Sequence, residues 1–461
     1  MSIHENKPNL LLSMVDKNLA PSISVIIPVY NATSTLEDCL KGIASSDYPE
    51  FEIIVVDDGS SDGSQQVAKF YTDMVLESSA GVPKGPAHAR NRGAEIAKGD
   101  ILFFVDADVT IQPNALSEIA QTFLQHPEYV ATFGSYDENP SHGEFLSQYK
   151  NLFHHFVHQQ AHQDAGTFWS GCGAIYKRVF LELGGFDEVR YPRPSIEDIE
   201  LGYRLRAAGY KIFVNKNIQG KHLKRWTLTG LLKSDILDRG IPWTQLIMQE
   251  RNLPNDLNLS FSQRISAVLL GILLLYLSWT AVFQNIALLP LLVILFMLVV
   301  AGWQFYGGTR ILQLSWQGEV LAYLLIILIG ALAWRENLPA ISIIMGALLA
   351  MVGLARSLPN PALGFRKMLF AGVNIALLFT ILLSLTSYPA WIYAPVLSIL
   401  AIIILLNKRF YLFFAVKRGI IFSLAIFPFH MLYYLYSMLS FALGGGMHLW
   451  KTSLNMRQAS E

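Results

Sequence analysis

The chain has 461 residues, of which 52% are hydrophobic and only 15% are charged. This composition is too apolar for an ordinary soluble enzyme of this size, and it indicates that part of the chain lies in lipid. The formal net charge is zero, which offers no excess of Lys and Arg for phosphate binding and argues against a nucleic-acid partner. Cys39 and Cys172 lie far apart without CxxC spacing, so we expect two free thiols in a reducing compartment.

The first residues carry no secretory signal, because the apolar stretch at 10–12 is short and is closely followed by Asp16 and Lys17. We therefore expect the N-terminal domain to stay in the cytosol.

Three apolar segments of strand length follow, at 23–31, 51–60 and 101–108, and each ends in polar residues. Helix-like stretches separate them, for example at 33–45. This order predicts an α/β domain with a Rossmann-like, mostly parallel sheet, in which ligands bind at the carboxyl ends of the strands.

Four carboxylates stand at these strand ends. Asp57 and Asp58 end the second strand, and Asp106 and Asp108 end the third. Gathered acidic side chains repel one another unless a cation or a hydrogen-bond donor is present. Mg²⁺ or Mn²⁺ is held by few carboxylates together with phosphate oxygens and water, so Asp-x-Asp at a strand end suits a diphosphate ligand. The alternative is that such a pair only caps a turn.

The stretch 145–162 carries four histidines, namely His154, His155, His158 and His162. Three of them, at 154, 158 and 162, share one helical face, a pattern that invites a metal interpretation. The glutamate of an HExxH arrangement is missing and aromatic residues interleave, which favours a helix along an acceptor groove or a membrane surface.

Residues 228–248 alternate leucine and isoleucine with charged residues and contain Trp243. The pattern predicts an amphipathic helix in the membrane interface, with Trp243 at headgroup level. The alternative is a helix packed on the N-terminal domain.

From residue 265 onward the chain consists of apolar runs, most of which approach the ~20 residues that a helix needs to cross a bilayer. They lie at 265–283, 286–306, 320–334, 338–355, 368–386, 390–406 and 419–443, and predict six or seven spans. Basic residues fall in alternate loops, as the positive-inside rule requires, with Arg335 as the exception. We expect a multi-pass integral membrane protein, in the inner or plasma membrane if it is bacterial, with a cytosolic N-terminal domain and, with seven spans, an external C-terminal tail.

Six motifs stand in a fixed order: Ser24-Val-Ile-Ile-Pro-Val-Tyr-Asn31, Val55-Val-Asp-Asp-Gly-Ser-Ser-Asp-Gly-Ser64, Ala89-Arg-Asn-Arg-Gly93, Phe104-Val-Asp-Ala-Asp108, Gly184-Gly-Phe-Asp187 and Glu197-Asp198. This order closely resembles family 2 glycosyltransferases of the GT-A fold, over about residues 22–226. The resemblance implies a nucleotide-sugar donor and a divalent metal cofactor, Mn²⁺ or Mg²⁺.

The resemblance also implies roles on the donor side. Pro28 and Tyr30 would shape the pocket of the base, Asp58 would accept a hydrogen bond from the base, and Asp57 would support Asp58. Arg90 and Lys84 would lie near the diphosphate. Asp106 would contact the ribose or the donor sugar, and Asp108 would ligate the metal.

On the acceptor side, the resemblance marks Asp198 as the catalytic base, since a hydroxyl acceptor must lose its proton as the anomeric carbon is attacked. If the acceptor is a lipid phosphate, the carboxylate would position it instead. Alternatively, Glu197 and Asp198 are ordinary acids in the first turn of a helix. Trp169 either stacks on an acceptor or packs in the core.

The segment Gly220-Lys-His-Leu-Lys-Arg-Trp226 ends the resembling region. His222 stands where many GT-A enzymes complete the metal shell, or it is a surface histidine of a linker. The segment is also similar to the Gln-x-x-Arg-Trp motif of processive polysaccharide synthases, with Arg225 and Trp226 in place, but His222 replaces the glutamine and puts processivity in doubt.

We therefore divide the chain into an N-terminal extension at 1–21, a GT-A glycosyltransferase domain at 22–227, an amphipathic linker at 228–260, an all-α transmembrane domain at 261–446 and a tail at 447–461. The favoured function is an inverting transferase that acts on a lipid or lipid-linked acceptor among membrane lipids. The alternatives are a processive synthase that extrudes its polymer, and a non-catalytic transporter or binding protein with a degenerate transferase domain. Almost no intramembrane charges are present to line a transport pathway, which disfavours the last alternative.

Overall fold

The computed structural model describes residues 20–78, 81–283 and 390–458. They fall into two compact units. The first comprises the described residues within Met1–Gly143, Ser147–Phe261 and Leu439–Glu461, and the second comprises those within Glu144–Leu146 and Ser262–Met438.

Among the described residues, one sheet contains eight strands. They are β1 Ile23–Val29, β2 Phe51–Asp57, β3 Val75–Glu77, β4 Ile101–Val105, β5 Val109–Ile111, β6 Tyr129–Tyr136, β7 Cys172–Tyr176 and β8 Lys211–His222. The α-helices are α1 Thr33–Ala44, α2 Ser64–Ala68, α3 Pro86–Ile96, α4 Ala115–Gln125, α5 Phe145–Gln160, α6 Lys177–Glu182, α7 Glu197–Ala207, α8 Leu228–Leu232, α9 Ile241–Glu250, α10 Phe261–Phe283, α11 Ala390–Leu406, α12 Lys408–Arg418 and α13 Ile420–Gln458. A π-helix at Lys233–Gly240 and a 3₁₀ turn at Leu257–Leu259 complete the described helical structure.

The strand order is β3-β2-β1-β4-β7-β6-β8-β5. The block β3-β2-β1-β4 is parallel throughout, as the sequence predicts. Beyond it, β7 runs antiparallel to both β4 and β6, β8 runs parallel to β6, and β5 runs antiparallel to β8. The sheet is therefore mixed, and the prediction of a mostly parallel sheet holds for only one half. The domain is an α/β, Rossmann-like fold.

Alternate residues of the central strands point to opposite faces of the sheet, and both faces are buried. Val25 and Phe103 belong to the apolar cluster on one face, whereas Ile26 and Phe104 belong to the cluster on the other. A strand that is covered on both faces needs a continuous apolar run rather than an alternating one. This explains why β1 and β4 read as unbroken apolar segments.

The stretch from α8 to α9 is helical, with the π-helix in its middle. Leu231 and Leu246 are buried, and Leu246 packs in a cluster with Tyr191 and Ile196, against which Trp243 is partly buried. This packing on the N-terminal domain agrees with the alternative stated for 228–248. Leu237 in the π-helix is 59% exposed.

By length and composition, two described helical segments are able to cross a membrane, Phe261–Thr280 and Ile420–Asn455. A third candidate is the pair Ala394–Leu406 and Lys408–Arg418, which is bent by 70°. The predicted runs at 286–306, 320–334, 338–355 and 368–386 lie outside the described residues. Six or seven spans and a cytosolic N-terminal domain remain predictions.

The helix α13 continues to Gln458, past the boundary predicted at residue 446. Three consecutive glycines, Gly444 to Gly446, lie inside it, although glycine disfavours a helix interior. A Cβ on Gly444 would lie 2.7 Å from Cβ of Thr244 and 2.8 Å from the carbonyl oxygen of Ile241. Glycine thus permits a close approach to α9 that a larger residue would prevent.

Candidate active site

A cleft of about 1360 Å³ opens where β1, β2 and β4 end. It lies in the first unit, on the side of the sheet edge where parallel α/β folds bind ligands. Twelve of the residues singled out from the sequence line it, namely Pro28, Tyr30, Asp58, Arg90, Asp106, Asp108, Trp169, Glu197, Asp198, His222, Arg225 and Trp226. The side chains of Asp57 and Lys84 do not.

Asp58 ends the strand β2 and is 3% exposed. Its Oδ1 accepts hydrogen bonds from Ser78 Oγ at 2.8 Å and from the backbone N–H of Lys84 at 3.1 Å, and its Oδ2 accepts from the N–H of Gly85 at 2.7 Å. Asp57 lies beneath it and accepts from the N–H of Ser60. The structure thus gives Asp58 a second task, to hold the loop that leads into α3.

That loop touches a second loop on the far wall of the cleft. Gly85 has a φ of +95°, and a Cβ at this position would lie 2.6 Å from the carbonyl oxygen of Pro192. Only glycine satisfies both the backbone conformation and the contact. Pro192 belongs to the segment that leads into α7, and Ser195 of this segment donates a hydrogen bond to the carbonyl oxygen of Asp238 in the π-helix.

Arg90 in α3 is 4% exposed and bridges two carboxylates. Its Nη2 donates to Asp106 Oδ1 at 2.7 Å, and its Nη1 donates to Glu197 Oε1 at 2.8 Å. The bridge joins the end of β4 to the first turn of α7. Glu197 is therefore a buried partner of Arg90 rather than a side chain free to face an acceptor.

Burial dominates the ionisation of this triad. It raises the pKa of Asp106 and of Glu197, and Arg90 only partly offsets the effect. Burial alone would lower the pKa of Arg90, but Asp106 and Glu197 outweigh it and raise that pKa. The guanidinium therefore stays charged and stabilises both carboxylates.

Asp108 and His222 face each other because β5 pairs with β8. The antiparallel register places Val109 opposite His222, so Asp108 lies beside the imidazole. His222 Nε2 is 3.4 Å from Asp108 Oδ2. Burial would raise the pKa of Asp108, but the imidazole of His222 outweighs it and lowers that pKa.

The other nitrogen of His222 is held from α5. His222 Nδ1 lies 2.7 Å from Asn151 Oδ1, and the same oxygen accepts a hydrogen bond from Trp226 Nε1 at 3.2 Å. Asn151 is 1% exposed and His222 is 5% exposed. The two ends of the segment 222–226 are thus fixed by one amide oxygen.

Tyr136, at the end of β6, lies between two imidazoles. Its ring is stacked on His222 with centroids 4.3 Å apart, and on His154 at 5.8 Å, both at an interplanar angle of 6°. His158 follows His154 one turn later and contacts Trp169 at 4.7 Å. Burial lowers the pKa of His158 to about 3, so this ring is neutral at physiological pH.

The histidines of α5 do not form a metal cluster. Among the residues that the structure describes, no group of three or more His, Cys, Asp and Glu side chains is placed to hold an ion. His162 lies beyond the end of α5, and its backbone N–H donates to Asp256. The prediction of a helix along the cleft is therefore the better interpretation of this stretch, since His154 lines the cleft.

Asp198 lies in the first turn of α7 and faces the cleft. Its Oδ2 accepts a hydrogen bond from the N–H of Ser170 at 3.0 Å, and its Oδ1 accepts from the N–H of Ile199 at 2.8 Å. These contacts fix the carboxylate toward the cleft. Trp169, next to Ser170, lines the cleft and also packs partly on both apolar clusters, so it combines the two roles weighed for it.

Sequence reasoning did not single out Tyr136, Asn151 or Ser170. For Asn151 a signal was present, because Ser147, Asn151, His154 and His158 recur at helical spacing. A polar stripe of this kind, on a helix rich in aromatic residues, indicates a buried polar face.

With this geometry established, comparison with known proteins identifies the domain. Residues 24–184 match the sequence model of glycosyl transferase family 2. This segment is a family 2 glycosyltransferase domain. The match covers about a third of the chain.

Several curated relatives share this domain. Glycosyltransferase GlyA of Streptococcus pneumoniae is 27% identical over 225 residues, which are 45% of this chain and 31% of the relative. Validoxylamine A glucosyltransferase of Streptomyces hygroscopicus subsp. jinggangensis is 28% identical over 43% of this chain and 55% of its own length. The chain thus spans about a third to about half of the length of these relatives. Poly-beta-1,6-N-acetyl-D-glucosamine synthase of Staphylococcus epidermidis is 25% identical over 299 residues, 60% of this chain and 69% of the relative.

Solved structures are similar at lower identity. Mannosyltransferase PcManGT from Pyrobaculum calidifontis, in complex with GDP-Man and Mn²⁺, is 21% identical with a TM-score of 0.38, over 53% of this chain and 68% of that one. S. aureus TarS 1-349 in complex with UDP-GlcNAc is 18% identical with a TM-score of 0.39, over 57% of this chain and 74% of that one.

Proposed function

We propose that this protein is an inverting glycosyltransferase that transfers a hexosyl-type sugar from a UDP- or GDP-linked donor to a lipid or lipid-linked acceptor at a membrane. The observation that carries the proposal is the convergence of Asp58, Asp106, Asp108 and Asp198 on one cleft at the carboxyl ends of the parallel strands. The family 2 match of residues 24–184 supports the same reaction class.

The nucleotide base lies between Pro28, Tyr30 and Asp58 in this proposal. Tyr30 is 53% exposed at the rim, where a ring is available for stacking on a base. Asp58 lies at the carboxyl end of β2 on the lining of the cleft, where its carboxylate accepts a hydrogen bond from the base. Asp57 supports Asp58 from below, and the exposed side chain of Lys84 reaches toward the diphosphate from the neighbouring loop.

Arg90 and Asp106 lie further into the cleft. Arg90 lines the cleft, and its buried guanidinium contributes positive charge that attracts the diphosphate. Asp106 uses Oδ1 for Arg90, and its side chain is 34% exposed to the cleft, where it contacts the ribose or the donor sugar.

Asp108 and His222 hold the divalent metal, Mn²⁺ or Mg²⁺, in this proposal. Two protein ligands suit a cation that completes its shell with phosphate oxygens and water. When bound, the metal neutralises charge that develops on the leaving nucleoside diphosphate.

Asp198 acts on the acceptor. Its carboxylate takes the proton of the acceptor hydroxyl while the hydroxyl oxygen forms a bond to the anomeric carbon, and the bond from that carbon to the diphosphate oxygen breaks with its electron pair. Attack from the face opposite to the leaving group inverts the anomeric configuration. With an ionised lipid phosphate as acceptor, no proton is transferred and Asp198 positions the nucleophile.

The proposal of an acceptor in the membrane is based on the π-helical stretch between α8 and α9. It contributes Lys233 and Arg239 to the lining of the cleft, and Leu237 of the same stretch is exposed. A segment that combines basic side chains at the site with an exposed apolar side chain suits an acceptor that is anchored in lipid. Arg225, Trp226 and Trp169 complete the acceptor side of the cleft.

A processive polysaccharide synthase is the second candidate. The poly-beta-1,6-N-acetyl-D-glucosamine synthase match extends over 60% of this chain, compared with 45% for GlyA and 43% for the glucosyltransferase. His222 in place of the glutamine of the Gln-x-x-Arg-Trp motif argues against processivity.

The test is incubation of membranes that contain the protein with a panel of UDP- and GDP-sugars, followed by mass spectrometry of lipids and polymers. One added sugar per lipid supports the proposal, and a long polymer supports the second candidate. The variant Asp198→Asn is expected to lower the rate about 10²- to 10⁴-fold if Asp198 is the base. Asp164→Asn, in an exposed ion pair with Arg206, is the matched control and should retain the wild-type rate. No product with any donor would refute the enzyme assignment.

A further inference from the structure

The hydrogen bonds of Asn151 leave little freedom in how its side-chain amide is oriented. The indole N–H of Trp226 is a donor only, so the atom that it meets must be the carbonyl oxygen of the amide. That same oxygen lies 2.7 Å from His222 Nδ1. Because an amide oxygen only accepts, His222 Nδ1 must carry the hydrogen.

This assignment decides what the opposite nitrogen of the imidazole is able to do. With the hydrogen on Nδ1, the neutral ring has its lone pair on Nε2. His222 Nε2 faces Asp108 Oδ2 at 3.4 Å, so a lone pair would point at a carboxylate oxygen. Such an arrangement is unfavourable unless a cation lies beside both atoms. The tautomer is therefore the one that ligates a metal through Nε2.

The ring is held in its plane as well. Tyr136 is stacked on His222 at 4.3 Å with an interplanar angle of 6°. The stacking limits tilting, while Asn151 limits rotation about the Cβ–Cγ bond. Nε2 is consequently directed at Asp108 before any ligand arrives.

This arrangement leaves the amide nitrogen of Asn151 in an energetically unfavourable position. Its Nδ2 is buried and has no hydrogen-bond partner among the described residues. A buried donor without a partner costs about 1 to 3 kcal/mol. A residue that served stability alone would be better replaced by one without this donor, which points to a functional reason for an amide at 151.

We infer that Asn151 is a positioning residue that fixes His222 in the Nδ1–H tautomer and presents Nε2, together with Asp108, to the divalent metal of the donor complex. The inference rests on the proposed function, since it requires that Asp108 and His222 bind a metal. Asn151 touches neither donor nor acceptor in this role and acts only through His222.

The experiment measures metal binding to the full-length protein rather than turnover. Mn²⁺ is titrated into the purified protein with UDP, and separately with GDP, held constant, and free Mn²⁺ is followed by electron paramagnetic resonance. Loss of a hydrogen bond to a metal-ligating histidine weakens metal binding about 10- to 100-fold. We expect this loss for Asn151→Leu and for Asn151→Ser, whose hydroxyl is too short to reach both donors.

The conservative variant Asn151→Asp separates positioning from packing. Aspartate keeps the size and both acceptor contacts and removes the unpartnered N–H, so Mn²⁺ affinity should stay within about threefold of the wild type, well inside the second-shell effect. Ser147→Ala is the matched control on the same helix. Ser147 Oγ accepts from the backbone N–H of Trp226 but does not contact His222, so this variant should lose some stability and keep its Mn²⁺ affinity.

The outcomes separate the inference from the function on which it rests. A wild-type protein that binds no Mn²⁺ with either nucleotide would overturn the metal site and the inference with it. A wild-type protein that binds Mn²⁺, alongside Asn151→Leu and Asn151→Ser variants that bind it equally well, would overturn the inference alone. Loss of binding in Asn151→Asp to the same extent as in Asn151→Leu would also overturn it, because the two variants differ in the acceptor oxygen.

Discussion

Removal of the Arg90 side chain should destabilise the first unit strongly. Arg90 is the common partner of Asp106 and Glu197, with both hydrogen bonds shorter than 3 Å. In Arg90→Met the buried carboxylate of Glu197 and the partly exposed carboxylate of Asp106 both lose their cation. Breaking a buried ion pair by removing one partner costs about 3 to 5 kcal/mol. A domain of this size loses about 2 to 4 °C in Tm per kcal/mol, so we expect a decrease of about 6 to 20 °C.

The assay is thermal unfolding of the purified full-length protein, followed by tryptophan fluorescence. Arg206→Met is the matched control, because Arg206 pairs with Asp164 where the two side chains are 34% and 41% exposed. An exposed pair contributes about 0 to 1 kcal/mol. The triple variant Arg90→Met, Asp106→Asn, Glu197→Gln removes the uncompensated charges and should regain most of the lost stability.

The pH dependence distinguishes charge from packing. Burial raises the folded-state pKa of Asp106 and Glu197, and loss of Arg90 raises both further. A carboxylate with a raised folded-state pKa keeps its full stability below the unfolded-state pKa and loses it as pH rises through the folded-state value. The deficit of Arg90→Met should therefore be smaller at pH 5 than at pH 8. A deficit that is independent of pH, or no larger than that of Arg206→Met, would refute the reasoning.

Two further predictions concern the fold. Gly202→Ala should destabilise the protein by about 1 to 3 kcal/mol, because its Cβ would lie 2.3 Å from the backbone nitrogen of Phe168. In Gly446→Ala no atom lies within 4 Å of the added Cβ, so the protein should gain up to about 1 kcal/mol of stability from helix propensity. Equal shifts in Tm for Gly202→Ala and Gly446→Ala would contradict this explanation. For Asp62, burial is outweighed by hydrogen bonds from Ser64 and Thr33, which lower its pKa to about 2. Asp62→Ala should lower the free energy of unfolding by about 1 kcal/mol at pH 7, a small loss because the side chain is exposed and screened. In denaturant titrations, the difference in stability from the wild type should shrink only as the pH falls below about 4.

The parallel half of the fold was predictable because its strands are buried on both faces. Such strands are mostly apolar runs rather than alternating ones, as in Ile23–Val29, and their carboxyl ends meet at one edge. The sequence alone therefore predicts Asp58, Asp106 and Asp108 at one edge of the sheet. The antiparallel half was not predictable in the same way, because Cys172–Tyr176 is short and its direction depends on pairing with distant strands.

The partners of the acidic residues were the part that the sequence could not supply. Arg90 lies 107 residues from Glu197, and Asn151 lies 71 residues from His222. Which side chain meets which depends on the register between β5 and β8 and on where α5 and α7 pack. The motif predicts that Arg90 lies near the diphosphate, whereas in the structure its two terminal nitrogens donate hydrogen bonds to Asp106 and Glu197.

The contact between Gly85 and Pro192 ties the two halves of the cleft together. Gly85 belongs to the loop held by Asp58, and Pro192 belongs to the segment that leads to Asp198. Because even a methyl group does not fit between them, neither loop has room to shift inward unless the other moves as well. A displacement of the loop at residue 85 therefore also acts on the segment that leads to Asp198. A substitution on one wall of the cleft should consequently be felt on the opposite wall as well.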